Sequence, residues 1–292
     1  MIQFSNSHKF EYMAASGALN FDGKGYLWEW IFRWLGFLNP SLFTVVIKTL
    51  TYEPRKGNLR WFNPFSCVRS LSSGVVNAVG LTNPGIEWWC RKIGLRVNQD
   101  KIPLVGSIFS ENTNELVLMA AMLNDFNLVG LEINVSCPSV ERGFLEDTTR
   151  IIENCQAVKE KSRFPIILKL SVVHNVEAIV PQLEGAIEAI SINSVPWSFA
   201  FPDNKSPLAR FGGGGISGEI AQPFTWKFLK RLVKATSIPV IGPSVWDFSD
   251  IENLRRLGAK AISFGSVFLK YPWRPTSFVN KDKGGNSKPI FL

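Results

Sequence analysis

Residues 131–139 read Leu131-Glu-Ile-Asn-Val-Ser-Cys-Pro-Ser139. Leu131, Ile133 and Val135 alternate with Glu132 and Asn134, which is the period of a β-strand. Pro138 cannot donate to a sheet ladder and ends the strand. A strand that finishes on Asn134, Ser136 and Cys137 brings an amide, a hydroxyl and a thiol to one place. Such an end suits catalysis, and Cys137 is the first candidate for the residue that does chemistry.

Working outward, apolar and β-branched runs recur at Thr44–Thr49, Val75–Val79, Ile102–Ile108, Gly130–Val135, Pro165–Ser171, Ala189–Asn193, Pro239–Gly242 and Ala261–Gly265. Amphipathic stretches lie between them, at Asn114–Asn124, Asp147–Lys161, Asn175–Glu184, Gln222–Thr236 and Asp250–Leu257. Strands alternating with helices predict a closed parallel (β/α)8 TIM barrel of class α/β, one domain over residues 1–292. A doubly wound open sheet is the alternative. In a barrel of this kind the active site forms at the C-terminal strand ends. Polar and glycine residues collect at those ends: Lys48, Asn77, Ser107, Asn134 to Cys137, Lys169, Asn193 with Ser194, Gly242, and Gly265 with Ser266.

Composition bounds the rest. At 46% hydrophobic residues the chain can bury a substantial core. Cys67, Cys90, Cys137 and Cys155 are too widely and unevenly spaced for a zinc site or a disulfide framework, so a reducing, cytoplasmic setting is expected. The first residues lack a basic region followed by an apolar stretch, so no secretory signal is expected. The net charge of +8 permits anionic ligands. Because the basic residues are scattered and not clustered on one face, nucleic acid is not an expected partner. His8 and His174 match no metal-ligand or triad spacing.

Two late segments read as phosphate cradles, Ile241-Gly-Pro-Ser-Val245 and Ser263-Phe-Gly-Ser-Val267. Glycine lets backbone N–H groups approach an anion, and a following helix N-terminus adds favourable partial charge. Ordinary strand–helix turns would look the same one at a time. The glycine run Phe211–Gly218 offers a further donor at Gly218, or is a plain surface loop. Lys48 and Lys169 end apolar strands, where an ammonium either reaches solvent or serves a bound anion. Asn77, Asn134 and Asn193 offer paired donors and acceptors to a planar, amide-bearing ligand. Cys90 and Cys155 read as small buried hydrophobes. Tyr26–Leu38, rich in Trp, carries only Glu29 and Arg33 as charges, four apart on one helical stripe. Thirteen residues cannot span a bilayer. A buried helix or subunit contact is expected there, with a membrane-interface position as the alternative.

In order along the chain, these motifs resemble the dihydroorotate dehydrogenase family of flavin-dependent barrels. They are Ala14-Ala-Ser-Gly17, Lys48-Thr-Leu-Thr-Tyr-Glu-Pro-Arg-Lys-Gly-Asn58, Asn77-Ala-Val-Gly-Leu-Thr-Asn-Pro-Gly85 and Asn134-Val-Ser-Cys-Pro138. Leu168-Lys-Leu170, Ser191-Ile-Asn-Ser194, Gly215-Ile-Ser-Gly218 and Gly258–Gly265 follow. The resemblance implies FMN across the barrel mouth, contacted by Ala15, Ser16, Gly17, Lys48, Ser107, Asn134, Lys169, Gly218, Gly242, Ser244, Gly265 and Ser266. It implies a small dihydropyrimidine substrate held by Lys48, Asn77, Gly80, Leu81, Asn134, Asn193 and Ser194. Cys137 would take a proton from C5 of dihydroorotate while a hydride leaves C6 for flavin N5. Lys169 would favour the anionic reduced flavin. A cysteine base resembles the cytosolic class, and Gly213–Gly218 the branch that pairs with an iron–sulfur flavoprotein subunit. A homodimer is expected, and membrane contact is not.

Four features depart from the family pattern, the Trp-rich Tyr26–Leu38 segment among them. Ser139 stands where a further substrate-binding asparagine is usual, Gly242–Val245 is one residue short, and Tyr271–Leu292 reads as irregular where the family has a helix. The alternatives are a dihydropyrimidine dehydrogenase-like enzyme acting on uracil-type bases, a non-catalytic flavin-binding barrel, and a tRNA dihydrouridine synthase-like reductase, which would need an RNA-binding appendage not found in this sequence.

Overall fold

Eight short strands close on one another in parallel. They are β1 (Tyr12–Ala14), β2 (Thr44–Val46), β3 (Leu104–Ile108), β4 (Gly130–Asn134), β5 (Ile166–Leu170), β6 (Ala189–Ile192), β7 (Ile241–Gly242) and β8 (Ala261–Phe264). The computed structural model describes residues 1–60, 63, 66–136 and 147–284; Cys137 and Ser139 lie outside the described residues. Successive strands pair from β1 to β6, β7 pairs β8, and β8 pairs β1. A parallel bridge between Ile190 and Val240 joins β6 to the β7 segment and completes the (β/α)8 barrel.

Alternation along each strand separates two cores. Leu131, Ile133, Leu168 and Ile190 face outward and pack against the helices, among them Thr113–Leu123, Thr148–Lys161, Gln222–Ala235 and Ser249–Arg256. Asn112 and Asp147 start the first two of these, each side chain accepting a backbone N–H of the opening turn. Met13, Val46, Val105, Ile167, Ala189, Ile241 and Ala261 face inward and fill the barrel interior with Ile2, Phe4 and Phe10. The last three come from a short antiparallel ribbon pairing Ile2–Gln3 with Lys9–Phe10. Gly130 opens β4 beside Phe4, whose ring would lie 3.3 Å from any Cβ added there. Two residues further along β3, β5 and β6, the same inward alternation reaches Ser107, Lys169 and Ser191. The interior thus changes from apolar to polar on the way to the C-terminal mouth.

Four local expectations are corrected. Val75–Val79 is no barrel strand: Gly74–Asn77 is the third strand of an antiparallel sheet ordered Val195–Pro196, Gly215–Gly218, Gly74–Asn77, Val68–Leu71. Tyr12–Ala14, which the strand pattern passed over, takes the vacated place in the barrel. The Trp-rich segment is not a buried helix. It forms a 3-10 turn, Leu27–Glu29, and one short helix, Trp30–Trp34, with Leu27, Trp28, Trp30, Ile31, Trp34 and Leu35 exposed. Burial falls instead on Glu29, because its carboxylate accepts the Tyr26 N–H at 2.6 Å. Finally, Arg274–Asp282 is a regular helix, started by Pro275 in its first turn. Among the described residues, no helix is long and apolar enough to cross a membrane.

Candidate active site

A cavity of about 420 Å³ opens where the C-terminal strand ends meet the antiparallel sheet. That is within the usual range for a small-molecule site. Its walls carry Ala15, Ser16 and Gly17 after β1, and Lys48 and Thr49 after β2. Asn134 comes from β4, Lys169 from β5, and Asn193 and Ser194 follow β6. Asn77, Gly80, Leu81 and Gly218 arrive from the antiparallel sheet and its loop, and Pro243, Ser244, Val245, Gly265 and Ser266 from the turns after β7 and β8.

Hydrogen bonds fix several of these side chains before any ligand arrives. Asn134 donates through Nδ2 to Thr49 Oγ1 at 3.0 Å and accepts from Ser136 Oγ at 2.7 Å, so its amide has one orientation. Asn193 donates to the Ser136 carbonyl at 3.0 Å. Ser16 Oγ donates to the Ile47 carbonyl at 2.9 Å and lies 3.0 Å from Thr49 Oγ1. The Lys48 ammonium lies 5.8 Å from the centroid of the Phe21 ring. Burial pushes its pKa down to about 8, with the neighbouring Cys67 acting weakly the other way. Burial pushes the Cys155 thiol up to about 12 and the Cys90 thiol up to about 11, so neither is a reactive thiolate at neutral pH.

The turn after β7 is braced from outside. Asp250 accepts the N–H groups of Trp246 and Asp247, both at 2.8 Å, and Gln222 donates to the Ser244 carbonyl at 3.0 Å. Ser244 sits at φ +63, a left-handed conformation uncommon outside glycine. Leu81 sits at φ +56, immediately after Gly80 at φ +71. Bulky residues hold such conformations only where the surrounding structure enforces them, commonly at ligand clamps.

Two residues expected at the cofactor are not among those lining the cavity. Ser107 is beneath the cavity, its hydroxyl 2.9 Å from Thr49 Oγ1 and donating to Glu132. Gly242 faces the helix Ser249–Arg256: a Cβ there would lie 3.0 Å from Ala259 and 3.2 Å from Leu254. Its small size therefore serves strand–helix packing.

Comparison with known proteins decides the family. The family model described as Dihydroorotate dehydrogenase matches residues 33–271. The chain belongs to the dihydroorotate dehydrogenase family. Among similar proteins, one from Desulforudis audaxviator is 31% identical over 240 residues, covering 80% of this chain and 76% of its own. One from Thermoplasma volcanium is 27% identical over 285 residues, with 93% and 90% covered. One from Halalkalibacterium halodurans is 30% identical over 277 residues, with 91% and 86% covered. All three are named as the catalytic subunit of dihydroorotate dehydrogenase B (NAD(+)). Dihydroorotate dehydrogenases are oxidoreductases acting on a CH–CH bond, and this chain is an enzyme of that class.

Most of the site residues expected from the sequence line this cavity, whereas Thr49, Glu132, Tyr26 and Glu29 were not among those expected at it or its floor. Thr49 and Glu132 were passed over, although Glu132 has the same strand parity as Asn134 and so the same inward face. Tyr26 and Glu29 line the wall, with Tyr26 Oη donating to the Gly17 carbonyl at 2.9 Å. Nothing in the apolar Tyr26–Leu38 run signals that placement.

Proposed function

We propose that this chain binds FMN in the cavity and oxidises dihydroorotate to orotate for pyrimidine synthesis. The observation that carries the reading is the convergence on one cavity of Lys48, Lys169, Asn77, Asn134 and Asn193 with the turns at Gly218, Ser244–Val245 and Gly265–Ser266. The donor chemistry fits the cofactor. Backbone at those turns suits a phosphate, Lys169 suits an electron-rich ring edge, and Ser16 and Lys48 suit the ring's polar atoms. Gly218 also fits a close approach: at φ +93 it leaves no room for a Cβ beside Trp246 and Gly74.

When bound, FMN supplies the acceptor for the hydride that leaves the substrate. Everything else falls to the chain. Asn77, Asn134 and Asn193 hydrogen-bond the amide edges of the dihydropyrimidine ring and orient it. Lys48, cationic at neutral pH, holds the carboxylate side. Cys137 follows Ser136 directly and acts as general base, removing the proton from the carbon next to the one that loses hydride. An ordinary thiol titrates near ~8.5, so a modest downward shift makes it a usable base. Because the relatives are named catalytic subunits, the electrons pass on to a separate subunit, proposed to be an iron–sulfur flavoprotein.

Turnover separates the substrates. Dihydroorotate should be oxidised and dihydrouracil should not, and Cys137→Ala should lower kcat about 10²–10⁴-fold, the usual contribution of a positioned base. Faster oxidation of dihydrouracil would transfer the assignment to uracil-type bases. Undiminished turnover in Cys137→Ala would remove the base.

A further inference from the structure

Glu132 is the feature that the proposed reaction leaves unused. Its carboxylate is buried in the barrel interior, one layer above Val105, Ile167 and Ala189, where an apolar side chain would pack at no electrostatic cost. A buried carboxylate is costly unless paired and hydrogen-bonded. This one is both. Oε1 lies 3.6 Å from Lys169 Nζ and accepts from Ser107 Oγ at 2.9 Å, while Oε2 accepts from Ser191 Oγ at 3.1 Å. Lys169 is buried too, yet it also lines the cavity. At 3.6 Å the ion pair is loose, which leaves the ammonium with N–H donors for the cavity side. Ser107 Oγ also lies 2.9 Å from Thr49 Oγ1, and Thr49 lines the cavity, so the carboxylate shares one network with the cavity wall.

We propose that Glu132 is a positioning residue acting through Lys169: its carboxylate offsets part of the charge that the ammonium presents at the cavity floor, thereby setting the reduction potential of the bound flavin. The inference rests on the FMN reading above. Two-electron reduction places negative charge on the flavin ring. An ammonium at the floor favours that charge, and a carboxylate behind the ammonium opposes it. Glu132 therefore keeps the potential lower than Lys169 alone would set it, which favours passing electrons onward.

The test is the midpoint potential of the flavin in purified holoenzyme, measured by anaerobic reductive titration. Glu132→Gln keeps the shape and can still meet Ser107 and Ser191, but loses the charge. It should favour the reduced form about tenfold, which is about 30 mV upward for a two-electron couple. Ser191→Ala, a milder change that keeps the fold, leaves the carboxylate leaning harder on Lys169 and should favour the oxidised form roughly threefold. A merely structural prop predicts the reverse for Glu132→Gln, because a released ammonium would drift from the ring and the potential would fall. A fall in Glu132→Gln overturns the proposal, as do unchanged potentials in the variants that fold. Protein that takes up no flavin overturns the FMN reading and this inference together; flavin bound with an unmoved potential overturns this inference alone.

Discussion

Lys48 shows how one residue's surroundings decide its chemistry. In water its ammonium would stay charged well beyond neutral pH; in the cavity burial brings its pKa to about 8. It is therefore charged below that pH and neutral above it. Orotate keeps its carboxylate throughout, so its affinity should weaken by about tenfold between pH 7 and pH 9, as the charged fraction of Lys48 falls. Equilibrium titration of the flavin spectrum with orotate measures this, and Lys48→Met should flatten the profile. An unchanged dissociation constant in wild type would detach Lys48 from the carboxylate. At this scale much of the cavity could be read from sequence. Asn134 and Lys169 end apolar strands, and strand alternation assigns them a face. Gly242 shows where that stops: a glycine at a strand end was visible, but the pressure of Leu254 and Ala259 on it was not.

The elements were legible where they are long. The helices Thr148–Lys161 and Gln222–Ala235 show clear periodicity, and their observed limits fall within a residue of the expected ones. Tyr12–Ala14 spans three residues, too few to display a period, and enters the barrel only because β8 and β2 pair with it. Gly74–Asn77 looks locally like a barrel strand, since β propensity reports fit to a half-buried surface and not the choice of partner. The antiparallel sheet it joins supplies one wall of the cavity and meets the turn after β7 at Gly218. A Cβ at Gly218 would lie 2.9 Å from both Gly74 and the Trp246 ring, at φ +93. Gly218→Ala should therefore destabilise the protein by about 1–3 kcal/mol. Flavin should also be lost more readily as the sheet is pushed off the turn. Thermal unfolding and flavin release on dilution are the measurements; wild-type behaviour in both would mean that this contact is not tight.

At the scale of the whole molecule, the barrel is a graded interior. Aromatic side chains close its N-terminal end, aliphatic residues fill the middle, and Ser107, Glu132, Lys169 and Ser191 form a polar layer below the cavity. Burying so much polarity costs stability unless every group is paired, and these groups pair with one another. If a flavin reducible by dihydroorotate sits above this layer, the absorbance spectrum of the purified protein under anaerobic conditions reveals it. The expected result is a yellow protein whose visible bands bleach on addition of dihydroorotate. A protein that binds no flavin, or whose flavin stays oxidised with that substrate, would contradict the account.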